Sequence, residues 1–111
     1  MPHEFFRGDD YTFVVPFVRN GAPINLTGAA IRFMARRSDF DADPLITKSV
    51  GSGIAITNAA GGLAEVTIAQ ADTLGFSQAE ALVYDIELTE ASGRRTTTEK
   101  DRMFVKYDVS R

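Results

Sequence analysis

The residues able to do chemistry are few and far apart. Among 111 residues there is one histidine, His3, no cysteine, and 15 carboxylates spread along the chain. A Ser-His-Asp triad needs an imidazole held in one tautomer and orientation, and His3 lies in a terminal segment with little to hold it. It is read as a solvated terminal side chain. Asp85 and Glu87 stand two apart, which puts both on one face of a strand, a pattern more typical of a solvated face than of a hydrolase pair. The missing cysteines exclude a disulfide framework, a thiolate zinc site and a cysteine nucleophile. No catalytic, cofactor-binding or metal-binding set is expected, and the chain is not read as an enzyme.

Three short motifs invite a stronger reading and fail it. Asp39-Phe40-Asp41-Ala42-Asp43 alternates carboxylates as a calcium loop does, but Pro44 stands where the sharp turn requires Gly, and Val50 where a bidentate Glu is required. Arg7-Gly8-Asp9 spells a tripeptide bound by some cell-surface receptors, yet here it leads straight into a strand, so a structural turn accounts for the glycine. Gly61-Gly62 lacks the strand-to-helix setting and the Lys of a phosphate loop.

What remains are two adjacent basic pairs, Arg36-Arg37 and Arg94-Arg95. The planar guanidinium fork suits carboxylates at protein interfaces, so these four arginines are the candidate interaction residues, able to form one patch if the strands they end lie side by side.

The elements that must carry them read as strands. Tyr11, Phe13, Val15 and Phe17 alternate on one face of 11–18, with Pro16 on the other face signalling an edge strand or a bulge. Asn20-Gly21 makes a turn. Ala29, Ile31, Phe33 and Ala35 point inward from a central strand over 29–36. Extended segments follow over 45–50, 54–57 and 63–69, then one short helical turn between Gln70 and Ala79. Leu82, Tyr84, Ile86 and Leu88 give the clearest alternation, over 81–89. A polar strand suited to an edge spans Arg94 to Glu99, and Met103, Val105, Tyr107 and Val109 share one side of a closing strand. Eight short strands near ten-residue spacing, with no long crossover helix, indicate a sandwich or small barrel of mainly antiparallel sheets; the reading taken is an all-β fold, an antiparallel β-sandwich, immunoglobulin-like or similar, with at most one short helix. Phe33, Tyr84 and Ile86 are expected in its core.

Composition sets the outer limits. The strand-favouring Val, Ile, Thr, Phe and Tyr number 36 against six Leu, which disfavours a helical bundle. The length suits one domain over 1–111, with residues 1–8 expected as a mobile arm. The longest apolar run, Phe13 to Val18, is far below the roughly 20 residues of a membrane helix, and no signal peptide is expected. A net charge of −3 argues against general nucleic-acid binding.

Taken in order, Phe6-Arg7-Gly8-Asp9-Asp10-Tyr11-Thr12-Phe13, Gly21-Ala22-Pro23-Ile24-Asn25-Leu26-Thr27-Gly28-Ala29 and Ile31-Arg32-Phe33 resemble the opening of small tailed-phage structural proteins. Gly62 to Ile68, Asp72-Thr73, Val83 to Leu88 and the ending from Phe104 to Arg111 continue the likeness, which is to the amino-terminal domain of phage baseplate upper proteins and their relatives. The resemblance implies a β-sandwich that is a non-enzymatic structural component of a bacteriophage virion, in a tail, baseplate, fibre or head appendage. Its partners would be other virion structural proteins, in a symmetric homo-oligomer. The alternative is a carbohydrate- or receptor-binding sandwich with loop aromatics such as Phe40 or Phe76 stacking on a ligand.

Overall fold

The computed structural model describes residues 3–38 and 43–107, with the side chains of residues 98 and 99 outside the description. Ten strands and one helix follow in chain order: β1 (His3–Phe6), β2 (Tyr11–Pro16), β3 (Val18–Arg19), β4 (Ala22–Pro23), β5 (Ala30–Arg36), β6 (Ile46–Val50), β7 (Gly53–Asn58), β8 (Leu63–Ile68), α1 (Gln70–Thr73), β9 (Glu80–Thr89) and β10 (Arg95–Lys106). Eight strands join in one sheet, in the order β1-β10-β9-β5-β6-β7-β8-β2, and β3 pairs with β4 in a separate hairpin.

The alternation that predicted strands also set their faces. Phe13, Val15, Phe17, Ile31, Phe33, Ala35, Val66, Ile68, Leu82, Tyr84, Ile86 and Leu88 all enter one core, which includes the three residues singled out for it. At its centre Phe33 lies 5.2 Å from Tyr84 and 6.0 Å from Phe13, ring centre to ring centre. Such offset and edge-on ring packing adds to the burial of the rings themselves.

The expectation of mainly antiparallel sheets is corrected at two joints. β1 runs parallel to β10, with His3 opposite Met103 and Phe6 opposite Lys106, and β6 meets β7 in parallel over two residue pairs only. The result is a mixed, nearly closed, barrel-like sheet. The parallel joint at β1 comes from the segment expected as a mobile arm: His3 to Phe6 are a strand at the sheet's end. The two strands expected at 94–99 and 103–109 are one continuous β10, bent by an irregularity between Thr97 and Glu99 that shifts its register against β9. An extra residue of this kind lets a long strand follow the curve of the sheet. Tyr107, expected inward, is half exposed, its ring covered by the Arg7 guanidinium at 4.4 Å. Val109 lies outside the described residues.

Turn chemistry worked as read. Asn20 and Gly21 both take positive φ, 53° and 79°, the combination that closes a two-residue hairpin, here β3–β4. The helix is one short turn, as expected between Gln70 and Ala79. The Asp72 carboxylate accepts the Ala69 N–H at 2.7 Å and pairs with Lys48 Nζ at 2.7 Å, which ties α1 to β6.

Candidate interaction surface

The four arginines fall at opposite ends of the sheet. β5 and β10 flank β9 and run in the same direction, so Arg36 at the end of β5 and Arg95 at the start of β10 are separated by the length of β9. The condition for one patch, that the ends carrying the two pairs lie side by side, is not met. Arg37 instead makes a forked contact with Glu80, Nε to Oε1 at 3.1 Å and Nη2 to Oε2 at 3.0 Å. Glu80 is 8 % exposed, so the arginine neutralises a carboxylate that would otherwise lie buried and alone. Arg36 rests its Nη2 3.9 Å from Met34 Sδ, and its Nε is buried with no hydrogen-bond partner. Arg94 is exposed in the β9–β10 turn, where its carbonyl accepts the Glu90 N–H at 2.8 Å.

The register reveals a different grouping, one that sequence reasoning missed. Across the outer side of β10, β9, β5 and β6, one row holds Thr97, Glu87, Arg32 and Ser49, the next Lys100, Asp85, Met34 and Thr47, and the next Arg102, Val83 and Arg36. With Arg95 at its upper corner, this wall carries, among the described side chains, five cations against the two carboxylates Asp85 and Glu87, on a chain whose net charge is −3. Arg32 and Arg95 converge on Glu87, at 3.3 and 3.6 Å, beside a depression of about 260 Å³. Arg37 and Arg102 border a second depression, of about 330 Å³, at the other end. The signal was present in the sequence: Arg32, Arg36, Lys100 and Arg102 all occupy outward positions. Only the pairing of strands distant in the chain shows that they share a face.

The opposite wall is nearly uncharged. On β2, β8 and β7 the outward rows are Pro16-Leu63-Asn58, Val14-Glu65-Ala55 and Thr12-Thr67, the last joined by a 3.0 Å hydroxyl contact.

Where the ends of the sheet come together, β1 and β2 meet through side chains. His3 Nδ1 lies 2.6 Å from Tyr11 Oη, the His3 ring 4.1 Å from Phe13, and Phe5 stacks on Tyr11 at 4.6 Å. Burial in this cluster pushes the Tyr11 phenol above its ordinary pKa. His3 is therefore a part-buried member of an aromatic seam, in contrast to the solvated side chain expected. Further along, the seam stands open as a groove of about 480 Å³ between Pro16, Val18, Arg19 and Ile24 on one side and Thr96 and Thr97 on the other. Arg19 closes its far end by a forked contact to Glu90. That hydrogen-bonded pairing holds the Glu90 carboxyl below and the Arg19 guanidinium above their ordinary values.

The remaining motifs take structural places. Arg7 is buried and donates to the Leu74 carbonyl, Gly8 takes φ 81° and donates to Thr73 Oγ1 at 2.8 Å, and Asp9 donates to the Phe6 carbonyl. The receptor-like tripeptide is the turn that docks β1 and β2 onto α1. Phe76 packs against the core, while Phe40 and Asp39 to Ala42 lie outside the described residues. Among the described residues no group of three or more His, Cys, Asp or Glu is placed to hold a metal ion, and no helix is long and apolar enough to cross a membrane. No protein-family model matches the chain, and no curated protein matches it in sequence.

Proposed function

We propose that the protein is a non-enzymatic structural component of a bacteriophage virion, an assembly module of a tail, baseplate, fibre or head appendage that works through protein–protein contacts. The observation that carries this reading is the cationic wall of β10, β9 and β5, which concentrates Arg32, Arg36, Arg95, Lys100 and Arg102 on one side of an acidic protein. A rigid sheet face with an excess of one charge steers a complementary acidic surface and fixes its orientation. The partners are other virion structural proteins, and copies of this chain arranged in a ring, where modest contacts gain strength by repetition. The likeness to baseplate upper proteins supports the same reading. At the finer level of fold, we read the barrel as the expected sandwich in flattened form, with the charged and uncharged walls as its two layers.

The test replaces Arg36, Arg95 and Arg102 with Ser, sparing Arg37 because Glu80 depends on it. The variant keeps its melting temperature but loses co-sedimentation with the other structural proteins of the particle, and raised salt weakens the wild-type association in the same way. A wild-type protein that stays monomeric at millimolar concentration, binds no particle protein and binds a soluble glycan tightly would replace this reading with the ligand-binding one.

A further inference from the structure

We propose that the two walls of the barrel dock on each other between copies of this chain: the cationic wall of one copy receives the β2–β8–β7 wall of the next, with Glu65 seated between Arg36 and Arg102. This deepens the assembly reading, on which it rests, by naming the second face. In the sheet of eight strands β9 stands third and β8 seventh, so in a nearly closed barrel the two walls look in opposite directions. The row Arg102-Val83-Arg36 sets one short apolar side chain between two guanidinium groups. Among the described residues neither arginine forms an ion pair, and Arg36 has only Met34 Sδ at 3.9 Å beside its buried Nε. The row Val14-Glu65-Ala55 is the converse, one carboxylate between two exposed apolar side chains. Glu65 makes no ion pair among the described residues either, whereas Asp72, Glu80, Glu87 and Glu90 are each held by a cation. Each wall thus carries charge that its own side of the molecule does not answer.

The two rows match in width. Each crosses three strands at about 4.8 Å spacing, so Glu65 laid over Val83 brings its carboxylate within reach of a guanidinium on either side. Val14 and Ala55 then cover the aliphatic stems of the two arginines. Asp85 and Glu87, the next outward residues of β9, repel a carboxylate placed over them, which fixes the register at Val83. Because the docking faces differ, the contact is heterologous: each copy that docks by one wall still offers the other, and the row grows until it closes. Three strands by three rows make a face of roughly 15 by 15 Å, at the small end of specific interfaces, so a single contact is weak. Repetition around a ring supplies the rest.

The experiment reverses charge on one wall at a time in the full chain. Glu65→Arg makes both docking rows basic, and Arg36→Glu with Arg102→Glu makes both acidic, so neither variant suits itself while each suits the other. Sedimentation velocity of the wild type at about 1 mM should show species that grow beyond a dimer and recede in raised salt. Each variant alone should keep its melting temperature and self-associate at least about tenfold more weakly. An equimolar mixture of the two should regain the wild-type association, because both junctions in an alternating row join opposite charges. Arg102→Glu alone, at an exposed position, replaces the double variant if that one does not fold and should give the same pattern in weaker form. Self-docking is overturned if the wild type is monomeric at that concentration or stops at a dimer, if a variant associates like the wild type, or if the mixture of folded variants stays monomeric. Wild-type protein that stays monomeric but still co-sediments with particle proteins would remove the self-docking and leave the assembly reading intact.

Discussion

The seam between β10 and β2 is made in two ways along its length. In one half a strand fills the gap: β1 gives β10 its backbone partners, and its inward rings cover Tyr11 and Phe13. Further along, a groove lies between Pro16, Val18, Arg19 and Ile24 on one side and Thr96 and Thr97 on the other, and at its far end Arg19 reaches Glu90. Both halves border the same two strands, so the difference isolates what closure requires. Among the described residues, the closed half is held by backbone pairing and ring packing and the other half by an ion pair.

The largest expected effect breaks the closed half. Phe13 touches His3 and Tyr11 on the seam and Phe33 and Tyr84 in the core, so Phe13→Ala opens a cavity at the point where seam and core join. A loss of about 3–5 kcal/mol in denaturant unfolding is expected. A change under about 1 kcal/mol would mean that the aromatic seam is not what closes the barrel.

On the open side the corresponding weak point is backbone. Gly62 takes φ +68°, and a Cβ there would lie 2.6 Å from the Phe17 carbonyl oxygen and 2.9 Å from that of Ile24. Phe17 also donates its N–H to Gly62 and accepts that of Ile24, so these three residues fix the floor of the groove. Gly62→Ala should cost about 1–3 kcal/mol, and its chemical-shift changes should centre on residues 17–24 with little effect on His3 and Phe5. Equal disturbance at both ends would show that the two halves are one unit.

Most of the closed half's partners were legible one strand at a time. The period of two in 11–17, 29–35 and 82–88 assigned the inward faces, and Pro16 marked an edge, because both signals are local. β1 was missed for a physical reason: a four-residue strand near a chain end has no turn or periodicity of its own, and only the parallel pairing with Met103 to Lys106 makes it a strand. The polar start of β10 read as a strand of its own because its continuity with 103–106 is hidden by the irregularity at Thr97. Of the arginine pairs, Arg36 and Arg95 take outward positions on the cationic wall, which is otherwise built from residues on strands far apart in the chain. That information lies in the register, which sequence patterns alone do not give.

A subtler change sharpens the comparison within the closed half. Tyr11→Phe keeps the stacking on Phe5 and deletes the 2.6 Å contact to His3 Nδ1. About 0.5–1.5 kcal/mol is the expected cost, an upper share for one hydrogen bond at a part-buried site. Thermal unfolding at pH 7 checks it. A loss as large as that of Phe13→Ala would move the weight of closure from ring packing to this one hydrogen bond.

The smallest effect is the most selective, because it should loosen one half and leave the other untouched. Glu90 has its pKa lowered in the folded protein, first by the hydrogen bond from Arg19, so the folded state binds its proton less readily than the unfolded chain does. The stabilising contribution of such a group is fully present above the unfolded carboxylate value, about 4.3, and is lost as pH falls through the lower folded value. Arg19 has its pKa raised, so it stays charged throughout this range, and the carboxylate alone sets the window. Between about pH 5 and 3, exchange at Arg19 and Ala22 of the β3–β4 hairpin and at Gly93 of the facing turn should therefore quicken, while Phe5 and Phe13 keep their protection. Asp101, on the neighbouring stretch of β10, also titrates low because it accepts the Arg102 N–H, which is why the measurement is taken on the hairpin. In Arg19→Gln the acid-dependent step should shrink toward zero, since the hydrogen bond that lowers the Glu90 carboxyl has lost its charge. If instead the whole seam loosened together in the wild type, or the step survived in Arg19→Gln, the Arg19–Glu90 bridge would not be the tie that holds the open end, and the groove would owe its shape to the Gly62 backbone alone.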